Sequence, residues 1–511
     1  MDTVGLLVAL LLPWLVGVAC VYGLWPSQPG RWPAILGYGY LVGYVGTTLV
    51  MRAWDAVGLT QQFWPLAATL GATAAVGFGL SSAVATRSPI NSAHGEPIPG
   101  ESRWAWAAVA CLLAFILVRY GGYALEVVWR PLYPWDAWSR WADRARIWFA
   151  QKDLVSFEVG WRWLKHARAD SFVGAGMSHP PTVSLVQTWT ALGGGRWNDT
   201  VINLPWVGCA AALGLGLYGQ ALMIGIRRLP ALLLIYVILS MPFLGTHVAL
   251  AGYADLWLTT CYALASAALL RWIWQRDVRQ GLLAVLLALA CPLIKTDSGV
   301  LWMAVLLFAG LISVLGIKGL WVLTGLIIGM GVGAFVGVEF AIPGLGQADF
   351  SFKQIKMPGM GRIDLAYHGI WVEFWKHWAR YANWHLGFYV LVLGIGVAIW
   401  QSRDASKAVA TAILVAGGIF ALILVFICTE HYTHAVEGTT INRAALPAFV
   451  IGLFGLAVWL QGNRMARSER DSARGSPVRE LSRRLDTTPH LPRAPWRQQL
   501  PVLVKPQRTP F

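Results

Sequence analysis

Charge is what this 511-residue chain has least of: 13% of its residues are Asp, Glu, Lys or Arg, against roughly 25% in soluble domains. With 57% hydrophobic residues and a mean hydropathy of +0.55, it belongs in a bilayer rather than in water. Cysteine is scarce too. Cys20, Cys111, Cys209, Cys261, Cys291 and Cys428 lie in or beside apolar stretches without CxxC spacing, which excludes a disulfide framework and a thiolate metal site. No glycine-rich phosphate loop follows a strand, no nucleotide-sugar domain is legible, and no Ser/His/Asp order stands out. The expected partners include membrane lipids and exclude nucleic acid.

What the chain has in abundance is apolar runs close to the ~20 residues that cross a membrane. They predict thirteen spans, near 3 to 24, 33 to 54, 63 to 86, 104 to 122, 199 to 224, 230 to 246, 254 to 270, 281 to 296, 299 to 315, 319 to 341, 383 to 400, 408 to 428 and 442 to 461. The fold class is therefore an all-α polytopic membrane protein. The first span starts Met1-Asp2-Thr3, without Lys or Arg, and no small-x-small site closes it, so it reads as a retained helix and not a cleaved leader.

One set of short loops carries Arg31, Arg87, Arg103, Arg227, Arg228, Arg271, Arg276, Arg279, Lys318, Arg403 and Lys407, and ends in a basic tail. By the positive-inside rule that side is cytoplasmic. The tail from Gly462 to Phe511 has eleven Lys and Arg against four Asp and Glu within a formal net charge of +15, and its prolines read as disorder. The opposite, outward side holds long loops at about 123 to 198 and 342 to 382. Within them, Trp138, Trp141, Ala145 and Trp148 recur at helical spacing, and Trp371, Phe374, Trp375 and Trp378 repeat the design. Both segments read as amphipathic helices in the interface plane, apolar side in lipid or aromatic rings as anchors.

Ionisable groups at membrane depth cost about 2.5 to 3.5 kcal/mol each on insertion scales, so they should have a purpose. They gather at the outer span ends: Asp136, His179, His247, Asp255, Lys295, Asp297, Glu430, His431, His434, Glu437 and Arg443. If they converge, they form a polar cavity with carboxylates for proton transfer and cations for phosphate. Their order, "PWDAW" (134 to 138), "HPP" (179 to 181), "GYADL" (252 to 256), "KTDSG" (295 to 299) and "NRAALP" (442 to 447), resembles bacterial relatives of the GT-C glycosyltransferases. That group includes the protein O-mannosyltransferases and the lipid A aminoarabinose transferases. The resemblance covers roughly 105 to 460. It divides the chain into an extra N-terminal module of three helices (1 to 103), a GT-C-like catalytic bundle (104 to 461) and the tail (462 to 511). The first loop carries a lone Asp where protein mannosyltransferases carry an acidic pair, and no acceptor-binding domain follows the last span.

The resemblance implies an inner-membrane enzyme that moves a sugar from a polyprenyl phosphate carrier to an acceptor on the periplasmic-type face, with inversion. The acceptor stays open between protein, glycan and lipid. It makes Asp136 the general base, whereas a helix starting at Ala137 would make the same residue an N-cap. Lys295 and Arg443 are candidates for the donor phosphate, with snorkelling, interface anchoring or a Lys295–Asp297 pair as the plain alternatives. Asp255 either positions substrate, pairs with a cation such as Lys295, or caps its helix; His179 and Asp297 complete the candidate donor site. Glu430, His434 and Glu437 fall at i, i+4 and i+7, and on one helical face they could hold a divalent metal; a solvated loop is the alternative.

A secondary transporter is the rival from another class, and an O-antigen ligase or polymerase shares the outward site and the polyprenyl donor. Paired halves with matching broken helices, the transporter pattern, are not legible. A reporter fused at the C-terminus is expected to read as cytoplasmic and one in the first long outer loop as external; the reverse pair of signals would overturn this topology.

Overall fold

The computed structural model describes residues 2 to 474 except 26, 87 to 101, 133, 159, 166 to 171, 175, 177 to 178, 343 to 345, 358 to 360 and 403. Arg87, Arg403 and the tail from 475 onward lie outside the described residues.

Three N-terminal helices come first: α1 (Thr3–Val21), α2 (Arg31–Ala56) and α3 (Phe63–Thr86). Then follow α4 (Arg103–Trp129), a π-helical turn Ala137–Ala142 running into α5 (Asp143–Gln151), the short α6 (Gly160–Lys165) and α7 (Thr182–Gly194). The middle of the bundle is α8 (Leu204–Met223), α9 (Arg228–Leu239), α10 (Pro242–Ala249), α11 (Ala254–Gln275), α12 (Val278–Ile294), α13 (Thr296–Leu315) and α14 (Ile317–Val336). The last third has α15 (Trp371–Phe374) with a π turn Trp375–Arg380, α16 (Gly387–Gln401), α17 (Ala405–Ala412), α18 (Gly418–Cys428), α19 (Tyr432–Val436) and α20 (Ile441–Arg474).

Each expected span overlaps apolar helix, those at 230 to 246 and 408 to 428 two helices apiece. Among the described residues ten are long and apolar enough to cross a membrane, and α9 with α10, bent by 65° at their junction, would make eleven. The apolar helices α12 and α16 are shorter, 17 and 15 residues. The bend follows from Pro242, which opens α10 and cannot donate to the preceding turn. At the junction the Ser240 carbonyl accepts from Arg119 Nη2 at 3.1 Å and His385 Nε2 at 2.8 Å.

Residues Met1–Asn463 form one compact unit, so α1 to α3 do not stand apart from the rest. Its axis is α11, in which every residue from Ala254 to Arg271 is buried, as expected of a helix apolar on all sides. Around it α8, α12 and α13 pack, and α2 packs on α8. Lipid tails offer no hydrophobic drive between helices, so close backbone contact through small residues has to supply the attraction. A side chain on Gly43 would run into the Pro13 carbonyl, and one on Gly37 into the Gly216 backbone. By contrast α4 and α14 leave most of their surface outward.

Two segments between the spans correct the sequence reading. The segment expected to be loop at 182 to 194 is α7, buried at every residue and pinned by Trp189 Nε1 to the Ala9 carbonyl at 2.8 Å. The all-α expectation misses an antiparallel meander, β3 (Val338–Ile342), β4 (Gly346–Phe350), β5 (Gln354–Met357) and β6 (Gly361–Asp364), besides the small parallel pair β1 (Phe157–Glu158) and β2 (Phe172–Val173). The 319 to 341 span accordingly ends at Val336, where Gly337 takes φ +75 and the chain turns into β3.

Both amphipathic helices form, but their apolar faces are used differently from expectation. Trp141 and Trp148 are 1% and 5% exposed and lie against protein, not lipid, because α7 packs beneath them. Only Trp138 of that stripe looks outward. In the second segment Phe374 and Trp378 are buried while Trp371 and Trp375 face out.

A substitution separates these packing roles. Gly43→Val is expected to lower the detergent-solubilised protein's stability by about 3 kcal/mol or more, measured as thermal unfolding. Gly46→Val, whose Cβ meets nothing within 4 Å, should leave it unchanged.

Candidate functional site

Three backbone features place charged groups at one end of the bundle. The Pro134 carbonyl accepts from Ala137 N at 2.9 Å, so the chain turns into the π-helical segment immediately after Asp136. Single π turns of this kind recur at functional sites. Gly252, with φ +106, lets the 250 to 253 turn slide under Leu132 and Ala137, where a Cβ would meet both at under 3 Å. That close approach sets Asp136 beside Asp255 in the first turn of α11. Lys295 is the extended residue between α12 and α13, and Gly299 lets the two helices meet there. Arg443 stands in the first turn of α20.

The result is an alternating chain of charge. Arg140 Nε lies 3.0 Å from Asp136 Oδ1, and Asp136 Oδ2 lies 2.7 Å from Arg443 Nη1. Arg443 Nη2 reaches Asp255 Oδ2 at 3.0 Å, and Asp255 Oδ1 takes Lys295 Nζ at 2.8 Å. Side-chain exposure falls from 41% at Arg140 through 24% at Asp136 and 17% at Arg443 to 3% at Asp255, with Lys295 beyond it at 15%. The site is thus open at the Asp136 end and closed at the Asp255 end. Three cations face two carboxylates, and Arg443 also lies over the Tyr253 ring, 4.5 Å from its centroid.

His179 joins through Arg140, whose Nη1 is 3.0 Å from its Nε2, and its ring stacks on Trp141 at 5.4 Å. Burial, then the Arg140 and Lys295 charges, push the His179 pKa down, so the ring is neutral near pH 7 and Nε2 accepts. Burial pushes Asp136 up, but the hydrogen bond and charge of Arg443, with Arg140, more than offset it and hold the carboxyl below its ordinary value. Arg144, one helical turn beyond Arg140, is buried and donates to the carbonyls of Gly176, His179 and Pro180 and to Ser184 Oγ. Burial brings its pKa down to about 10. It clamps the "HPP" segment onto the π-helical turn.

Of the residues expected to carry chemistry, Asp136, His179, Asp255, Lys295 and Arg443 converge. The capping alternative for Asp136 is not used: its backbone is helical and its side chain caps nothing. Lys295 pairs with Asp255 and not with Asp297, which is exposed in the first turn of α13 and makes no ion pair among the described residues. His247 is buried, with Nδ1 3.1 Å from the Phe243 carbonyl and Nε2 unpartnered.

The metal expectation is corrected. Only Tyr432–Val436 of that stretch is helical, too short to align Glu430, His434 and Glu437 on one face. His434 Nδ1 approaches Glu437 Oε2 at 3.7 Å with both exposed, and among the described residues no three His, Cys, Asp or Glu side chains could hold a metal ion. Sequence reasoning missed Arg140, Arg144 and Tyr253. The signal for Arg140 was its i+4 spacing from Asp136 on a helix.

No protein-family model, curated protein or solved structure matches the chain.

Because Arg443 is the only cation that touches both carboxylates among the described residues, Arg443→Met is expected to destabilise by about 3 to 5 kcal/mol. Adding Asp255→Asn should recover part of that loss. Strictly additive thermal shifts in the two single variants and the double variant would show that the pair does not interact.

Proposed function

We propose that the protein is an integral membrane glycosyltransferase that moves a sugar from a polyprenyl phosphate carrier to an acceptor at the outer membrane face. The observation that carries this reading is the union of "PWDAW", "HPP", "GYADL", "KTDSG" and "NRAALP", remote in sequence, in one charged cluster that opens at Asp136. A polyprenyl donor brings its anion to the bilayer surface, and a cluster with more cations than carboxylates at a span end suits it.

In the proposed reaction an acceptor O–H attacks the anomeric carbon as the carbon–oxygen bond to phosphate breaks on the opposite side, with inversion. Asp136 takes the acceptor proton; Arg443, Arg140 and Lys295 receive the leaving phosphate. In the free protein both Asp136 oxygens are occupied by guanidinium groups, which makes a weak base. A phosphate that draws Arg443 and Arg140 to itself frees that carboxylate. Donor binding therefore precedes acceptor activation.

A transporter reading has one observation in its favour, the bent α9–α10 pair. The Ser240 carbonyl at that junction is already taken by Arg119 and His385.

Asp136→Asn is expected to bind polyprenyl phosphate as wild type does, by native mass spectrometry, but to lower kcat by about 10² to 10⁴. Wild-type transfer by this variant would remove Asp136 as the base. Arg140 helps hold Asp136 ionised, so Arg140→Gln raises its pKa, and the acidic limb of the kcat/KM profile should move to higher pH. An unmoved limb would mean that another group sets it.

A further inference from the structure

At the far end of α11 from Asp255, the helices α11, α12 and α13 enclose an apolar groove of about 360 Å³, within the roughly 300 to 1,000 Å³ of small-molecule pockets. Leu269 and Trp272 form its floor, and Leu282 and Leu307 its walls. The α12–α13 hairpin is tight at its closed end, where a side chain on Gly299 would run into the Cys291 carbonyl. The groove lies toward the open end. There Gly310 supplies no side chain, and an added Cβ would meet only Leu269 Cδ1, at 3.9 Å. Leu282 is 62% exposed, so the groove opens sideways toward the lipid.

A cation stands beside Trp272, one of the lining residues. Arg276 follows α11 directly and holds φ +58, a conformation costly for a residue with a side chain. Its guanidinium lies 5.4 Å from the Trp272 ring centroid, and Nη1 donates to Ser313 O at 3.0 Å and Ser313 Oγ at 3.1 Å. Among the described residues its Nε and Nη2 make no hydrogen bond, and the residue is exposed. The same end of the bundle carries Arg228 over Trp106 and Lys407 over Trp274, the pairing of cation and aromatic found where a protein meets headgroups.

We infer that this groove is a binding site for an anionic phospholipid, with one acyl chain along the α12–α13 wall and the lipid phosphate on Arg276. An alkyl chain needs no hydrogen bonds, and the groove offers it few polar atoms; a polar peptide or a sugar would lose its own. A guanidinium whose Nε and Nη2 face no partner among the described residues is matched by a phosphate. The site is separate from the Asp136 cluster and does not depend on the glycosyltransferase reading.

The test reconstitutes the delipidated full-length protein in nanodiscs of phosphatidylcholine with a minor share of phosphatidylglycerol and counts retained lipids by native mass spectrometry. Wild type should retain phosphatidylglycerol in preference to phosphatidylcholine. Arg276→Asn, which tolerates positive φ but has no charge, should lower that preference about fivefold. Gly310→Leu, which fills the groove, should abolish retention of either lipid at this site. Thermal unfolding in pure phosphatidylcholine checks that both variants fold. Equal retention of the two lipids by wild type, or a preference that neither variant changes, would overturn the inference. A dimer mass that Gly310→Leu abolishes would overturn it in favour of a second copy of the chain as the occupant.

Discussion

The arrangement of the charged end of the bundle depends on one guanidinium. Arg443 reaches Asp136 with Nη1 and Asp255 with Nη2, and so ties the first long loop to the central helix. A lysine could not do this, because its ammonium is a single point charge and the two carboxylates need a planar fork. Asp255 is almost wholly withdrawn from water, and an isolated carboxylate there would be driven to protonate. Arg443 and Lys295 together make its ionised form tolerable. In turn the two carboxylates and the Tyr253 face keep Arg443 from snorkelling away to the headgroups. Each carboxylate is held by two cations and Arg443 is shared by both, so its loss would leave both carboxylates short of a partner.

The backbone has been shaped to allow this. Gly252 accepts the close approach of Leu132 and Ala137, and without it the π-helical turn would stand off from the α11 end. Arg144 fixes the next element, taking the carbonyls of Gly176, His179 and Pro180, which have no helix or strand to satisfy them. His179 is thereby held where Arg140 can reach it. Buried α7 underlies the whole assembly. Its Ser184 donates to the Trp141 carbonyl at 2.8 Å and its Thr182 to the Leu293 carbonyl at 2.6 Å, next to Lys295. Small hydroxyl residues on that helix thus brace both ends of the charged chain.

The bundle was legible because bilayer thickness imposes a length that apolar runs either have or lack. The convergence of Asp136, His179, Asp255, Lys295 and Arg443 was legible because charge at membrane depth is costly and so informative. What failed to show were features fixed by long-range packing. Threonines, a serine and a glutamine dilute the apolar pattern of α7, so it reads as loop, and only its neighbours bury it. The Trp141 and Trp148 stripe has the right period but periodicity cannot say whether lipid or α7 covers it. The meander from Val338 to Asp364 is written in runs of four or five residues, below what a composition dominated by spanning helices lets one see. Glu430, His434 and Glu437 have helical spacing without a helix long enough to express it.

Charge balance gives the proposed chemistry an internal logic. In the resting cluster, the three cations exceed the two carboxylates by one. A glycosyl polyprenyl phosphate is a diester with one negative charge, so its arrival neutralises the site. After transfer the carrier leaves as a monoester that tends toward a second negative charge, its second pKa lying near about 6. If the acceptor proton has gone to Asp136, that carboxylate is now neutral, and the three cations are again matched by Asp255 and the doubly charged product. Proton transfer to Asp136 and charge development on the phosphate then compensate each other across Arg443, the residue both must share. A base placed elsewhere, out of reach of the phosphate-binding arginine, would leave the cluster unbalanced in one of the two states. In the proposed reaction, the contact between Asp136 and Arg443 that weakens the base in the free protein would also couple proton uptake to departure of the carrier.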